Sequence, residues 1–263
     1  MNAVRAIFLR DFLVARSYRV ALALDIVLGF LNLVLYYFIS RTFEDAAPAD
    51  LAGAPSYFAF AAVGIAMATV LNAAAGGVAV RIRQEQLTGT LEATVSQPVP
   101  VTGLASAMCG IPFVAAVVRA SLYLLMGVLL LGLDFPEADW LGTALVLAIS
   151  GIALSCLGIA SAAMVIVVKR GDVVVALGVF ALGIVSGAFF PVSVLPDWLE
   201  AIAKVMPPRF SFDGLRSALF EGSGWGTDVL VLAGFAVTLV PASLWAFAAA
   251  MRAARRAGTI AEY

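Results

Sequence analysis

The chain has 263 residues, 63% of them apolar and 13% charged, with a formal net charge of −1 and a mean hydropathy of +1.03. These values exclude a soluble globular domain and place the chain among integral membrane proteins. No nucleic-acid partner is expected.

In chain order, Ile7, Phe8, Phe12, Leu13 and Val14 recur at roughly helical spacing, with Arg5, Arg10, Asp11 and Arg16 between them. This predicts an amphipathic helix over residues 1–19 lying in the cytoplasmic interface. The apolar stretch that follows, 20–39, is long enough to cross a hydrocarbon core. As a secretory signal it fails: its apolar core is too long, and the small triplet Ala52, Gly53, Ala54 lies well past its end and precedes Pro55. It is read as a retained span.

Further apolar stretches run over 57–80, 104–131, 140–168, 173–190 and 229–250. Backbone groups inside lipid must be satisfied within the segment, so these are helices. The short alternating stretches of a transmembrane barrel are not seen. The expected fold is all-α, with six transmembrane helices, the N-terminal interfacial helix, and a re-entrant extracellular helix pair before the last span. All of it forms a single membrane domain over residues 1–263.

Basic residues fall on alternate connections: Arg5, Arg10, Arg16 and Arg19; Arg81 and Arg83; Lys169 and Arg170; Arg252, Arg255 and Arg256. The opposite connections carry Glu44, Asp45 and Asp50, then Asp134, Glu137 and Asp139, with Arg41 the exception. Lys and Arg are retained in the cytoplasm, so both termini are expected there.

The connection over 191–227 is long yet apolar. Trp198, Leu199, Ile202 and Val205 suggest one short amphipathic helix, Pro207 and Pro208 a break, and Leu215, Leu219 and Phe220 a second helix. Such a pair suits a segment that dips into the outer leaflet.

Several chemistries are missing. There is no histidine, which removes histidine metal ligands and the commonest general base. The lysines, Lys169 and Lys204, follow Val168 and Ala203, so no Gly-Lys phosphate loop exists. No cofactor is expected in this chain, and enzymology within it is not expected. Cys109 and Cys156 fall in the third and fourth spans and read as small apolar packing residues. Gly151, Ser155, Gly158 and Ser161 in the fourth span, with Ala73 to Gly77 in the second, read as close helix packing inside the subunit.

Three polar residues inside spans ask for an account: Asp25, Asn32 and Arg119. Asp25 reads most simply as sitting near the cytoplasmic interface close to Arg19. Arg119 either lines a path for a polar or anionic substrate, pairs with a carboxylate of a neighbouring helix, or snorkels.

The polar stretch over 81–100, RIRQEQLTGTLEATVSQPVP, carries the functional signal. Arg81 and Arg83 precede Glu85, then come Gly89, Thr90, Leu91 and Glu92, and then Pro98 and Pro100. This resembles the cytoplasmic coupling segment of ABC type-2 permeases, in their drug- and antibiotic-exporter branch. The run of Phe-Phe-Pro, Leu-Pro-Asp-Trp-Leu, Pro-Pro and Asp-Gly-Leu-Arg before the last span resembles the same family.

The resemblance implies that the segment rests in a cleft of a separate ATPase. Gly89 would allow close approach, Thr90 a cap, Leu91 an apolar knob, and Glu85 and Glu92 ion pairs with the partner or with Arg81 and Arg83. It implies that residues 1–19 are a connecting helix packed on that segment. It also implies two ATPase subunits that bind ATP and Mg, and a second permease, identical or paralogous. The chain would then be a membrane subunit that moves an amphiphilic drug-like molecule or a lipid outward by alternating access in a bacterial inner membrane. Met67 and Asn72, with Phe180, Phe189 and Phe190 and with Arg119, are the candidates for lining and outer gate. Two alternatives stay open: a permease for a lipid-linked glycan, and a secondary transporter or channel, which would call for paired membrane carboxylates and an inverted repeat.

Overall fold

The computed structural model describes residues 19–42, 51–89, 101–168 and 171–257, and the regular structure among them is helical throughout. The elements are α1 (Arg19–Thr42), α2 (Tyr57–Leu71), α3 (Gly77–Leu87), α4 (Val101–Leu131), α5 (Trp140–Val167), α6 (Gly171–Val185), α7 (Asp197–Ala203), α8 (Pro207–Arg216) and α9 (Trp225–Ala257). A π-helical turn, Asn72–Gly76, joins α2 to α3, so the second span is one continuous rod with a wide turn in it. The amphipathic helix expected over 1–19 lies outside the described residues, except for Arg19, which opens α1.

Among the described residues five stretches are long and apolar enough to cross a membrane: 23–42, 57–87, 108–131, 140–166 and 225–253. The fifth span in chain order is different. Expected over 173–190, it ends as a helix at Val185 and has 15 residues, about 22 Å by helical rise and short of a hydrocarbon core of about 30 Å. The reason is local. Gly187 takes a φ of +91°, and a Schellman closure forms as Ala188 N–H donates to Gly183 C=O at 3.0 Å and Gly187 N–H to Ile184 C=O at 3.2 Å. Hydrophobicity continues through Phe189 and Phe190, but the helix does not.

The second span is the hub. Every residue from Phe58 to Met67 is buried, which is what a helix apolar on all sides requires. It is enclosed by α1, α4 and α8, while α5 pairs along much of its length with α9. Two caps set helix starts. Ser56 Oγ accepts from Ala59 N–H at 3.1 Å, opening α2. The Asp139 carboxylate accepts from Leu141 and Gly142 N–H and, through its other oxygen, from Trp225 Nε1 at 3.1 Å. One side chain therefore fixes the start of α5 against the start of α9.

The two helices expected between the fifth and sixth spans are present as α7 and α8. α8 begins with Pro207 at its first turn, where the missing N–H costs nothing. It is inserted among α2, α5 and α9, with Ser211, Phe212 and Leu215 buried.

Its last residue, Arg216, is buried to 1% exposure. Nη2 donates to the carbonyls of Gly187 at 2.8 Å, Phe60 at 3.2 Å and Ala188 at 3.4 Å, and the guanidinium lies 3.5 Å over the Phe60 ring. Arg216 thus staples the turn after α6 to the middle of the structure. Gly64 makes the approach possible, since a methyl group there would overlap the Ala188 carbonyl oxygen. The small residues of the fourth span act the same way: a methyl group on Gly158 would strike the Ala74 carbonyl in the π turn, so this packing lies within the subunit.

Two outcomes follow for stability. Arg216→Leu strands the Gly187 and Ala188 carbonyls in a dry interior and is expected to destabilise the chain by about 3 kcal/mol or more, with Arg216→Lys intermediate because one ammonium lacks the planar fork. Gly64→Ala is expected to destabilise by about 1–3 kcal/mol through overpacking. Thermal unfolding of the purified chain, followed by size-exclusion fluorescence, checks both.

Candidate functional site

The end of the second span formed by α3 carries the first part of the site. α3 runs to Leu87, so Arg81 to Leu87 extend the span as helix rather than leaving it as a loop. Glu85 faces inward and is buried, with Arg81 Nε 3.8 Å from its carboxylate one turn away. Arg83 Nε reaches Asp172 at 3.9 Å, which links this helix end to the first turn of α6. The local pairing expected for Glu85 is therefore present, and its carboxylate is turned into the subunit.

Thr88 closes α3 as its C-cap, with its hydroxyl donating to Gln84 C=O at 2.9 Å. Gly89 follows at φ +70°, and its N–H donates to Gln86 C=O at 3.1 Å. Among the described residues nothing lies within 4 Å of where its Cβ would stand. Within this chain, then, glycine is required by the left-handed backbone that ends the helix, not by crowding. Thr90, Leu91 and Glu92 lie outside the described residues.

The second part lies inside the membrane. A cavity of about 550 Å³ opens among α1, α2 and α4. Polar groups line much of it: Asn32 from α1, Thr69 from α2, Asn72 from the π turn, and Arg119 and Tyr123 from α4. Arg119 Nη1 donates to Asp25 Oδ2 at 3.2 Å, and Tyr123 OH donates to the Asp25 carbonyl at 3.0 Å. Asp25 is thus the partner of Arg119, and it stands near the start of the first apolar stretch, 23–42. The two pair because α1 and α4 cross at this level, and an arginine and a carboxylate each costly to leave in lipid offset one another.

Phe189, beyond the end of α6, closes one side of the cavity. Its ring stacks on Tyr36 at 5.5 Å and 12°, and its carbonyl accepts from Tyr57 OH at 2.9 Å. Of the candidates for the path, the structure brings Asn72, Arg119 and Phe189 together around this one space. Met67 is fully buried in the core of α2, Phe180 faces outward from α6 at 57% exposure, and Phe190 is half-buried in the turn. The cavity lies among the first three spans, with Phe189 at its edge.

Sequence reasoning missed Arg216, whose role depends on carbonyls more than 25 positions away. It also missed the π turn. There Asn72 Nδ2 donates to Ala68 C=O at 2.8 Å, and the extra residue per turn sets Asn72 and Ala73 on the cavity wall.

A family model described as ABC-2 type transporter matches residues 2–220, a stretch that includes the α3 end of the second span, the polar cavity and α8. No curated protein matches the chain.

A double-mutant cycle tests the membrane ion pair. Arg119→Leu and Asp25→Leu are each expected to lower the melting temperature more than the double variant does, because each single change leaves a lone charge. The coupling expected is about 1–3 kcal/mol. Additive losses would show that the two charges act independently.

Proposed function

The chain belongs to the ABC-2 type transporter family, and we propose that it is the permease half of an exporter that carries an amphiphilic, drug-like molecule or lipid out of a bacterial cytoplasm. Membership makes it a membrane-spanning permease component of an ABC transporter that works with an ATP-binding subunit. The observation that supports the finer reading is the cavity beside Arg119. A space lined by Asn32, Thr69, Asn72 and Tyr123 inside helices otherwise made of Leu, Val and Ala is costly to maintain unless a polar part of a ligand occupies it. Its apolar walls, from Leu28, Ile65 and Phe189, accept the rest of an amphiphile.

On this reading two copies of the permease, identical or paralogous, face each other, and two ATPases bind ATP and Mg below them. Both termini lie in the cytoplasm of a multi-pass inner-membrane protein, as the alternation of Lys and Arg supports. α7 and α8 dip into the outer leaflet. Trp198, Ile202 and Val205 on and after α7 are exposed, a face suited to lipid at the interface. Movement of the ATPase would reach the cavity through the second span itself. α3 is continuous with the π turn that carries Asn72, and Arg83 with Asp172 ties the same helix end to α6. Glu85 contributes by holding Arg81 and the helix end in place. Thr90, Leu91 and Glu92 follow in sequence as the contact with the partner.

Coupling is tested with the permease and its ATPase reconstituted together. Glu92→Arg is expected to abolish the stimulation of ATP hydrolysis while the permease still folds. If Gly89 acts through its backbone, Gly89→Ala and Gly89→Trp lose stimulation to a similar degree and Gly89→Asn retains most of it, since Asn tolerates positive φ. A tryptophan variant far worse than the alanine one would assign Gly89 to close contact with the ATPase instead.

A further inference from the structure

α4 and α5 are adjacent in sequence, yet they pack on each other only sparsely, because α5 makes its main contacts with α9 and with α3. The space left between them is a second cavity of about 590 Å³, within the range of small-molecule sites. Its side walls are two stripes at helical spacing: Ala120, Leu124 and Val128 from α4, and Thr143, Ala144 and Leu147 from α5. Leu215 and Leu219 form its back. The room exists because Ala120 and Ala144 present only methyl groups. The α4 stripe extends about 12 Å along the helix axis, and the lining is apolar except for Ser121 on α4 and for the end where Thr143 and Asp134 stand beside Trp140.

The charge at that end has one sign. Between Arg119 and Lys169 the charged residues are Asp134, Glu137 and Asp139, and among the described residues no Lys or Arg lines the cavity. Arg216, on the helix that backs it, is turned to Phe60 and Gly187. A phospholipid placed here would bring its phosphate to Asp134 with no cation to receive it. A single alkyl chain with an ammonium head meets no such penalty, and its charge is complementary to the mouth.

We infer that the cavity between α4 and α5 is a binding site for a single-chain amphiphile with a cationic head, its alkyl part along the Ala120–Val128 and Thr143–Leu147 stripes and its ammonium group at Asp134. The site is separate from the polar cavity, which lies on the face of α4 that carries Arg119 and Tyr123. It does not rest on the transport reading, since binding is measured without the ATPase.

The test uses the purified full chain and a dodecyltrimethylammonium probe with a photoreactive diazirine on its alkyl chain. Labelling is expected in peptides covering 120–128 and 140–147, with displacement by unlabelled dodecyltrimethylammonium. Asp134→Asn is expected to weaken the apparent affinity roughly three- to tenfold, and Asp134→Glu to restore it, as for a charge-assisted contact at a partly open mouth. Ala144→Phe, which fills the cavity from its open side, is expected to abolish the labelling while leaving the melting temperature near that of the parent. Equal labelling by a dodecylsulfonate probe, displacement by phosphatidylethanolamine as effective as by the alkylammonium, or undiminished labelling of Ala144→Phe would each overturn the assignment.

Discussion

A short helix inside a membrane leaves carbonyl groups with nowhere to turn, and the bonds from Arg216 to Gly187, Ala188 and Phe60 are this protein's answer. α6 stops at Val185, and the turn over 186–188 is buried, out of reach of water. The Schellman closure satisfies the carbonyls of Gly183 and Ile184, and the guanidinium donates to those of Gly187 and Ala188 in the turn beyond. Because Arg216 ends α8, the same bonds draw α8 into the bundle. Because they include Phe60, they fix both to the buried second span. The turn so held places Phe189 over the polar cavity, where Tyr36 and Tyr57 keep its ring and its carbonyl. This boundary of the candidate site thus depends on a residue that does not touch it.

Much of this fold could be read from the chain. Runs of Leu, Val and Ala of the right length gave the spans, and Leu215, Leu219 and Phe220 after the Pro207–Pro208 break gave a helix where α8 and the π turn Ser217–Glu221 lie. The end of α6 was hidden because Phe189 and Phe190 prolong the apolar run, whereas the stop is set by one backbone angle at Gly187. Arg216 was hidden for a related reason. With Asp213 three residues before it and Arg209 earlier on the same helix, it resembles a solvated surface charge, and only the tertiary arrangement brings three carbonyls to it. The Arg119–Asp25 pair was half legible: the cost of an arginine in a span demands a partner, but which carboxylate crosses at its level depends on how α1 and α4 pack.

The coupling segment divides the same way. Its residue types pointed to the family, and the match over 2–220 establishes that family. What the sequence could not give is the role of each residue. Glu85 belongs to the interior of the helix end, with Arg81, and Gly89 has open space around it among the described residues. Its backbone is left-handed, at φ +70°, a requirement that spacing alone does not carry.

α4 separates two spaces of opposite character within one turn of helix. Arg119 and Tyr123 line the polar cavity toward α1, while Ala120, Ser121 and Leu124 line the apolar one toward α5. These assignments follow from the roughly 100° between successive helical residues, so a single helix can present a charge to one side and a methyl group to the other. α4 is also pinned unequally. On one side the bonds from Arg119 and Tyr123 to Asp25 hold it to α1, and on the other it meets α5 only sparsely. A displacement of the second span, which α4 packs against, would therefore carry α1 and α4 together and change the width of the α4–α5 gap, because that is the side where few contacts have to break.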